Sequence, residues 1–333
     1  MADRRRPVDD ASHDVAVMAT ASDASLCKLS AASLGYFEDP FVQFFVKSPS
    51  RRMPIINRGY YARVTAMERV VLRFLDAHTN AAGAQVVVLG AGLDTMFFRL
   101  RRANRLPTNC TFFEVDFPDV TLQKVMTIRR RKPLMEVLGF DSTTALQSAL
   151  SGGGTSLSAD GYRLIPGDLR DIEATRGKLE QAGLTKSAPT LFISECVLIY
   201  MDAEFSKEWI AWSAGYFDDV SYLLYEQILP DDAFGRVMMD NIKARGCDLL
   251  SIRDYPTIEA QLERFRSSHF SMAQCWDMND VYYKFLDATE RAKREKLEIF
   301  DEVEEFHLLQ AHYCVVVASK SSDSASARAI ALY

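Results

Sequence analysis

Apolar and polar positions follow two rhythms along this chain. From residue 85 onward, short and nearly continuous apolar runs recur at 85–89, 111–116, 162–168, 189–195, 221–226 and 312–319. Runs this short and this apolar predict strands buried on both faces of a parallel sheet. Between them lie helical patterns at 120–131, 172–182 and 203–217. Strand and helix in alternation predict an α/β fold with helices on both faces of the sheet. A last unit runs from His269 to Trp276, through two charged helices, into the final strand.

The flanking regions read differently. Residues 1–22 are polar, rich in Ala, Ser and Asp, and aperiodic, so a disordered leader is expected. From Ser25 a helical spacing begins, with Leu26, Leu29 and Ala32 on one face. Residues 36–40 read as a linker, and 55–63 lead into a long helix ending near His78. Residues 23–80 are thus expected to form a helical segment ahead of the main domain at 81–333. Insertions are expected near 140–161, where Gly152-Gly153-Gly154 marks a loop and no strand, and at 231–266, rich in helix formers. No internal repeat is visible.

Composition narrows the picture. Of 333 residues, 48% are hydrophobic and 20 are Phe, enough for a large core. The net charge of -6 and the lack of a basic run argue against nucleic acid and anionic membranes as partners. No apolar run approaches the roughly 20 residues that span a bilayer, and the N-terminus lacks the apolar core of a secretory signal. A cytoplasmic protein is expected, with nuclear presence allowed. The six cysteines form no Cys-x-x-Cys pair; Cys196 and Cys314 lie in apolar runs and read as small core residues. The five histidines lack metal-ligand spacing, so no metal is expected.

Candidate chemistry centres on Val86-Val87-Val88-Leu89-Gly90-Ala91-Gly92-Leu93-Asp94-Thr95. A Gly-x-Gly turn after a strand lets backbone approach a ligand, and Asp116, closing the next strand, is placed to accept from ribose hydroxyls. The third glycine of a dinucleotide fingerprint is absent, its position held by Thr95. Asp94 would repel a pyrophosphate but accept from an ammonium group. That favours a nucleoside with an amino-acid end, such as S-adenosylmethionine. Asp168 and the N–H of Leu169 could read adenine; alternatively Asp168 caps the helix starting near Asp171. Glu195 ends the fourth strand, where open α/β sheets place ligand groups, or it is an exposed strand-end acid.

Six segments together resemble the leucine carboxyl methyltransferase family. They are Asp23-Ala24-Ser25-Leu26-Cys27-Lys28, INRGYYARV from Ile56, LGAGLDT from Leu89, FFEVDFP from Phe112, DLRD from Asp168 and SECVLIYM from Ser194. The resemblance spans about residues 23–320. It implies a class I S-adenosylmethionine-dependent methyltransferase, Rossmann-like, with a mostly parallel seven-stranded sheet, a helical N-terminal segment acting as lid or substrate segment, and helical insertions. It also implies methyl transfer to the C-terminal leucine carboxylate of the protein phosphatase 2A catalytic subunit, a reaction that regulates holoenzyme assembly. The family's cofactor residues carry over onto Lys28, Arg63, Gly90, Asp116, Asp168, Leu169 and Glu195. The leader and the glycine-rich insertion fit the family poorly.

A terminal carboxylate has a pKa of about 3.5 and is already an anion at neutral pH. Methyl transfer to it needs no general base, only positioning. No Ser/His/Asp or Cys/His set is therefore expected. Arg63 can grip a carboxylate bidentately, whereas Lys28 acts as a point charge. Arg63 and Tyr200 are the catalytic candidates; Tyr200 either donates to the substrate carboxylate or packs. Arg58 and Tyr60 are weaker candidates of the same kind. A leucine tail needs an apolar slot beside its carboxylate anchor, with walls from the N-terminal segment and the insertion after the fifth strand. A monomer contacting the folded phosphatase as well as its tail is expected. The rival readings are a same-fold methyltransferase on another carboxylate or a tRNA-linked substrate, the latter expected to carry a repeat-bearing domain; a nicotinamide-dependent dehydrogenase; and a non-catalytic phosphatase-binding protein.

Overall fold

A computed structural model describes residues 10–321. Nine strands form one sheet: β1 Ala84–Leu89, β2 Cys110–Asp116, β3 Leu150–Ser151, β4 Ser156–Ala159, β5 Tyr162–Pro166, β6 Thr190–Glu195, β7 Val220–Gln227, β8 Met272–Asp277 and β9 Tyr313–Lys320. Their order is β3-β4-β5-β2-β1-β6-β7-β9-β8. The central β5-β2-β1-β6-β7 block is parallel, and β9 runs antiparallel between β7 and β8. The chain moves from β1 outward through β2, then returns to β6 on the other side of β1. Strand order therefore reverses beside β1, and the crevice beyond the strand C-termini there is where such sheets bind ligands.

The apolar runs alternate between two cores even though the sequence looks continuous. Val86 aligns with Phe112 and Leu191, and all three join the core on one face. Val87 aligns with Phe113 and Phe192 on the other. Helices α1 Asp10–Ser33, α2 Pro54–Ala77, α3 Met96–Arg102 and α4 Pro118–Arg130 lie in the chain before the insertion, and α5 Lys132–Val137 and α6 Thr143–Ser148 lead into it. Then come α7 Ile172–Gln181, α8 Ala203–Tyr216, α9 Ala233–Lys243 and α10 Ile258–Arg266. The stripe Met67, Val70, Val71 and Phe74 seats α2 on the first face, at helical spacing. Trp209 and Ile210 seat α8 on the second. Each such fully buried large side chain contributes about 2–3 kcal/mol. No helix among the described residues is long and apolar enough to cross a membrane.

Three expectations change. The leader is not disordered up to residue 22: α1 is helical from Asp10, and residues 1–9 lie outside the described residues. The insertion near 140–161 is no loop. Its β3 and β4 pair antiparallel with each other, and β4 pairs with β5, which extends the expected seven strands to nine. Gly152, Gly153 and Gly154 all have positive φ (57°, 69° and 92°), a backbone that glycine adopts freely, and they reverse the chain between the two short strands.

Candidate active site

The turn after β1 is shaped by its glycines. Gly90 and Gly92 have φ of 62° and 54°. A Cβ on Gly90 would stand 2.6 Å from both methyls of Val197, so the turn has room for backbone only. The Gly92 N–H donates to Asp116 Oδ2 at 2.6 Å, and the Phe117 N–H donates to Oδ1 at 2.7 Å. Burial pushes the Asp116 carboxyl above its ordinary value, although these two N–H bonds oppose the shift. The result is a fixed carboxylate whose remaining lone pairs face the crevice.

A row of four charges crosses the floor. Lys28, from α1, reaches Asp94 Oδ2 at 2.6 Å and Glu195 Oε1 at 3.5 Å. Arg63, from α2, donates through Nε to Glu195 Oε1 at 2.5 Å. Its guanidinium lies 4.6 Å from the Tyr225 ring centre and 5.2 Å from that of Tyr60. Burial alone would raise both acids. Lys28 outweighs it at Asp94, which is held far below its ordinary value. Arg63 and then Lys28 outweigh it at Glu195, which is also lowered. Two cations thus balance two carboxylates, and a zwitterionic amino-acid group adds no net charge to such a row. Asp94 is not free to await an ammonium, however. One oxygen is held by Lys28, and the other accepts from the Met96 N–H at 2.7 Å at the start of α3. Behind it, buried Lys124 donates to the Asp94 carbonyl at 2.8 Å and pairs with Glu114 at 2.5 Å.

The loop after β5 supplies the far end. Asp171, not Asp168, caps α7, its side chain accepting from the Ala174 N–H. The Asp168 carboxylate accepts from the backbone N–H and guanidinium of Arg170. Leu169 is anchored by its carbonyl, which accepts from Trp209 Nε1 at 2.7 Å. After β6 the chain turns sharply. Cys196 adopts a φ of 56°, and its N–H donates to the Tyr225 carbonyl at 2.7 Å. This bend carries Tyr200 to the cavity. Burial keeps the Tyr200 phenol protonated far above neutral pH and pushes the Cys196 thiol up to about 12. Burial thus favours the neutral phenol and the neutral thiol.

Lys28, Arg63, Gly90, Asp116, Asp168, Leu169, Glu195 and Tyr200 all line one cavity of about 600 Å³, within the usual range for small-molecule sites. Tyr60 lines it too. Arg58 does not: its guanidinium packs on the Phe300 ring at 3.7 Å and bonds the Glu295 carbonyl at 3.4 Å. The sequence reading missed the first half of α1, where His13, Asp14, Val17 and Met18 line the cavity. Ile242, Arg245 and Leu250 join them from the insertion after β7, which was expected to form a wall.

Solved structures place the fold. A Thermobifida fusca protein solved as a candidate methyltransferase matches with a TM-score of 0.53 at 12% identity, over 81% of this chain and 84% of that one. A duf574 family protein from Streptomyces avermitilis matches with a TM-score of 0.51 at 14% identity, over 90% and 97%. These two show the fold alone; with the family match that follows, the class is that of an S-adenosylmethionine-dependent methyltransferase. The family model for leucine carboxyl methyltransferases matches residues 16–214. A leucine carboxyl methyltransferase 1 homolog of Arabidopsis thaliana is 42% identical over 307 residues, covering 92% of this chain and 90% of the relative. Leucine carboxyl methyltransferase 1 of Bos taurus is 38% identical over 310 residues, with the same coverage. Human tRNA wybutosine-synthesizing protein 4 is 38% identical over 308 residues, but the match covers 44% of that protein. The chain belongs to the leucine carboxyl methyltransferase family.

Proposed function

We propose that this enzyme methylates the α-carboxylate of the C-terminal leucine of the protein phosphatase 2A catalytic subunit, forming a methyl ester and so regulating holoenzyme assembly. The observation that carries the reading is the balanced row of Lys28, Asp94, Arg63 and Glu195 in one cavity with Tyr200, a set of groups equipped to orient carboxylates. Bound S-adenosylmethionine supplies a methyl group made electrophilic by its sulfonium. Asp116 accepts from its ribose hydroxyls at the Gly90 turn. Asp168 and the Leu169 N–H read its adenine. Lys28 and Arg63 hold its carboxylate, and Glu195 accepts from its ammonium.

Arg63 and Tyr200 orient the substrate carboxylate, which is ionised at neutral pH and needs no proton removed. Val17, Met18, Ile242 and Leu250 offer an apolar wall for the leucine side chain. A tail offers little area, so the enzyme also contacts the folded phosphatase. We place it in the cytoplasm, with nuclear presence allowed, acting as a monomer.

The similarity to a tRNA wybutosine-synthesizing protein supports a second reading, a tRNA-linked carboxylate substrate. Incubation with methyl-labelled S-adenosylmethionine separates the two. Base-labile label on the phosphatase catalytic subunit supports the first reading, and label on bulk tRNA alone overturns it.

A further inference from the structure

Arg170 touches the cavity from two sides. Its backbone N–H and Nε reach Asp168 Oδ1 at 2.9 and 3.0 Å, and its Nε and Nη2 reach Oδ2 at 3.1 and 2.7 Å. The same Nη2 reaches Asp14 Oδ2 at 2.6 Å. Asp168 is on the floor, whereas Asp14 is on the roof formed by α1. Other contacts hold α1 elsewhere: His13 Nε2 lies 3.1 Å from the Asp248 carbonyl, Asp23 pairs with Arg245 at 3.3 Å and Lys28 with Asp94 at 2.6 Å. Arg170 bridges the first half of α1 and the acid assigned to adenine.

Proton accounting shows how this bridge meets a ligand. Three N–H groups of Arg170 reach Asp168: the backbone N–H on Oδ1, Nη2 on Oδ2, and the single Nε–H shared between the two oxygens. Each carboxylate oxygen accepts about two hydrogen bonds, so room for one more donor opens when the shared Nε–H settles on one oxygen. An adenine amine can take that place while Nη2 keeps both Asp168 and Asp14. We infer that Arg170 is a positioning residue that couples closure of the first half of α1 to occupancy of the adenine end of the cavity, since one guanidinium nitrogen holds an acid on each. The inference rests on the assignment of adenine to Asp168.

Amide hydrogen exchange on the full chain, with and without S-adenosylhomocysteine, tests the coupling. In the wild type the ligand should slow exchange both in α1 over residues 11–22 and in the Gly90 turn. In Arg170→Met, and in the near-isosteric Asp14→Asn, the turn should still be protected while the gain in α1 is lost. Affinity by calorimetry should fall by about fivefold, the size expected for a partly exposed pair. Arg170→Lys, which keeps the charge but lacks the fork that spans both acids, should not fully restore the α1 gain. An undiminished α1 gain in Asp14→Asn would overturn the inference, even if the Arg170 variants fold poorly. Asp168→Ala separates the two ideas. Unchanged affinity there removes the adenine assignment, and the inferred coupling falls with it. Reduced affinity there, together with an intact α1 gain in Arg170→Met, removes the bridge alone.

Discussion

Asp116→Asn is the sharpest single perturbation of the cofactor site. The two carboxylate oxygens of Asp116 each accept a backbone N–H, from Gly92 at 2.6 Å and from Phe117 at 2.7 Å. An amide has one acceptor oxygen, so its NH₂ must face one of these donors. The turn loses one charge-assisted bond in the free and the bound protein alike, which costs stability, and the ribose loses at least one in the bound protein only. At about 1.5–3 kcal/mol for a hydrogen bond to a charged group, affinity falls by about 10- to 150-fold. Calorimetric titration with S-adenosylhomocysteine at pH 7 measures it, with a thermal melt to confirm folding. A dissociation constant within about threefold of wild type would refute the ribose assignment.

The same residue sets a pH dependence whose sign follows from its environment. Ligand hydroxyls donate to the ionised carboxylate, so binding favours the deprotonated form. Because burial raises the Asp116 pKa, wild-type affinity should be flat at neutral pH. It should weaken on acidification earlier than an ordinary aspartate, at 3.8, would dictate. Asp94 and Glu195 are held below their ordinary values and stay ionised in that window. Asp116→Asn should flatten the profile, and an unchanged acid limb in the variant would assign the limb to another group.

Three further substitutions probe the rest of the site. Arg63→Ala should lower kcat by at least about 100-fold, since it removes the proposed carboxylate anchor and leaves half-buried Glu195 short of a partner; Arg63→Lys should recover only part, and near-normal turnover in Arg63→Ala would remove it from the carboxylate clamp. Gly90→Ala should cost about 3 kcal/mol in a urea melt, from the positive φ and from a Cβ 2.6 Å from Val197, with partial rescue by Val197→Ala; an unchanged midpoint would refute the close-approach argument. Tyr200→Phe should reduce kcat/KM for the protein substrate about fivefold, the size of one lost hydrogen bond, while cofactor affinity holds; unaltered kinetics would leave Tyr200 a packing residue.

The parallel strands along the chain and the cofactor turn were legible because buried strands and the Gly-x-Gly turn carry local signals. What escaped was held by distant partners. The first half of α1 shows no clean apolar stripe because its inner face mixes Val17 and Met18 with His13 and with Asp14, which pairs with Arg170, while Val15 lies in solvent. The glycine triplet reads as a loop because strands of two and four residues are too short to display alternation, and their pairing is fixed by β5. Asp94 looked available because its partner Lys28 lies far upstream in the chain. Arg58 and Arg63 look equivalent in sequence, yet five positions on a helix turn the side chain by about 140°, which points Arg58 at Phe300 and away from the cavity.

The central claim is that the methyl group goes to the carboxylate of a terminal leucine. The direct measurement is transfer from labelled S-adenosylmethionine to the phosphatase 2A catalytic subunit, intact or lacking only its last leucine. The account predicts one base-labile methyl per intact subunit and none on the shortened one. Equal labelling of both, or label that survives alkali, would contradict it.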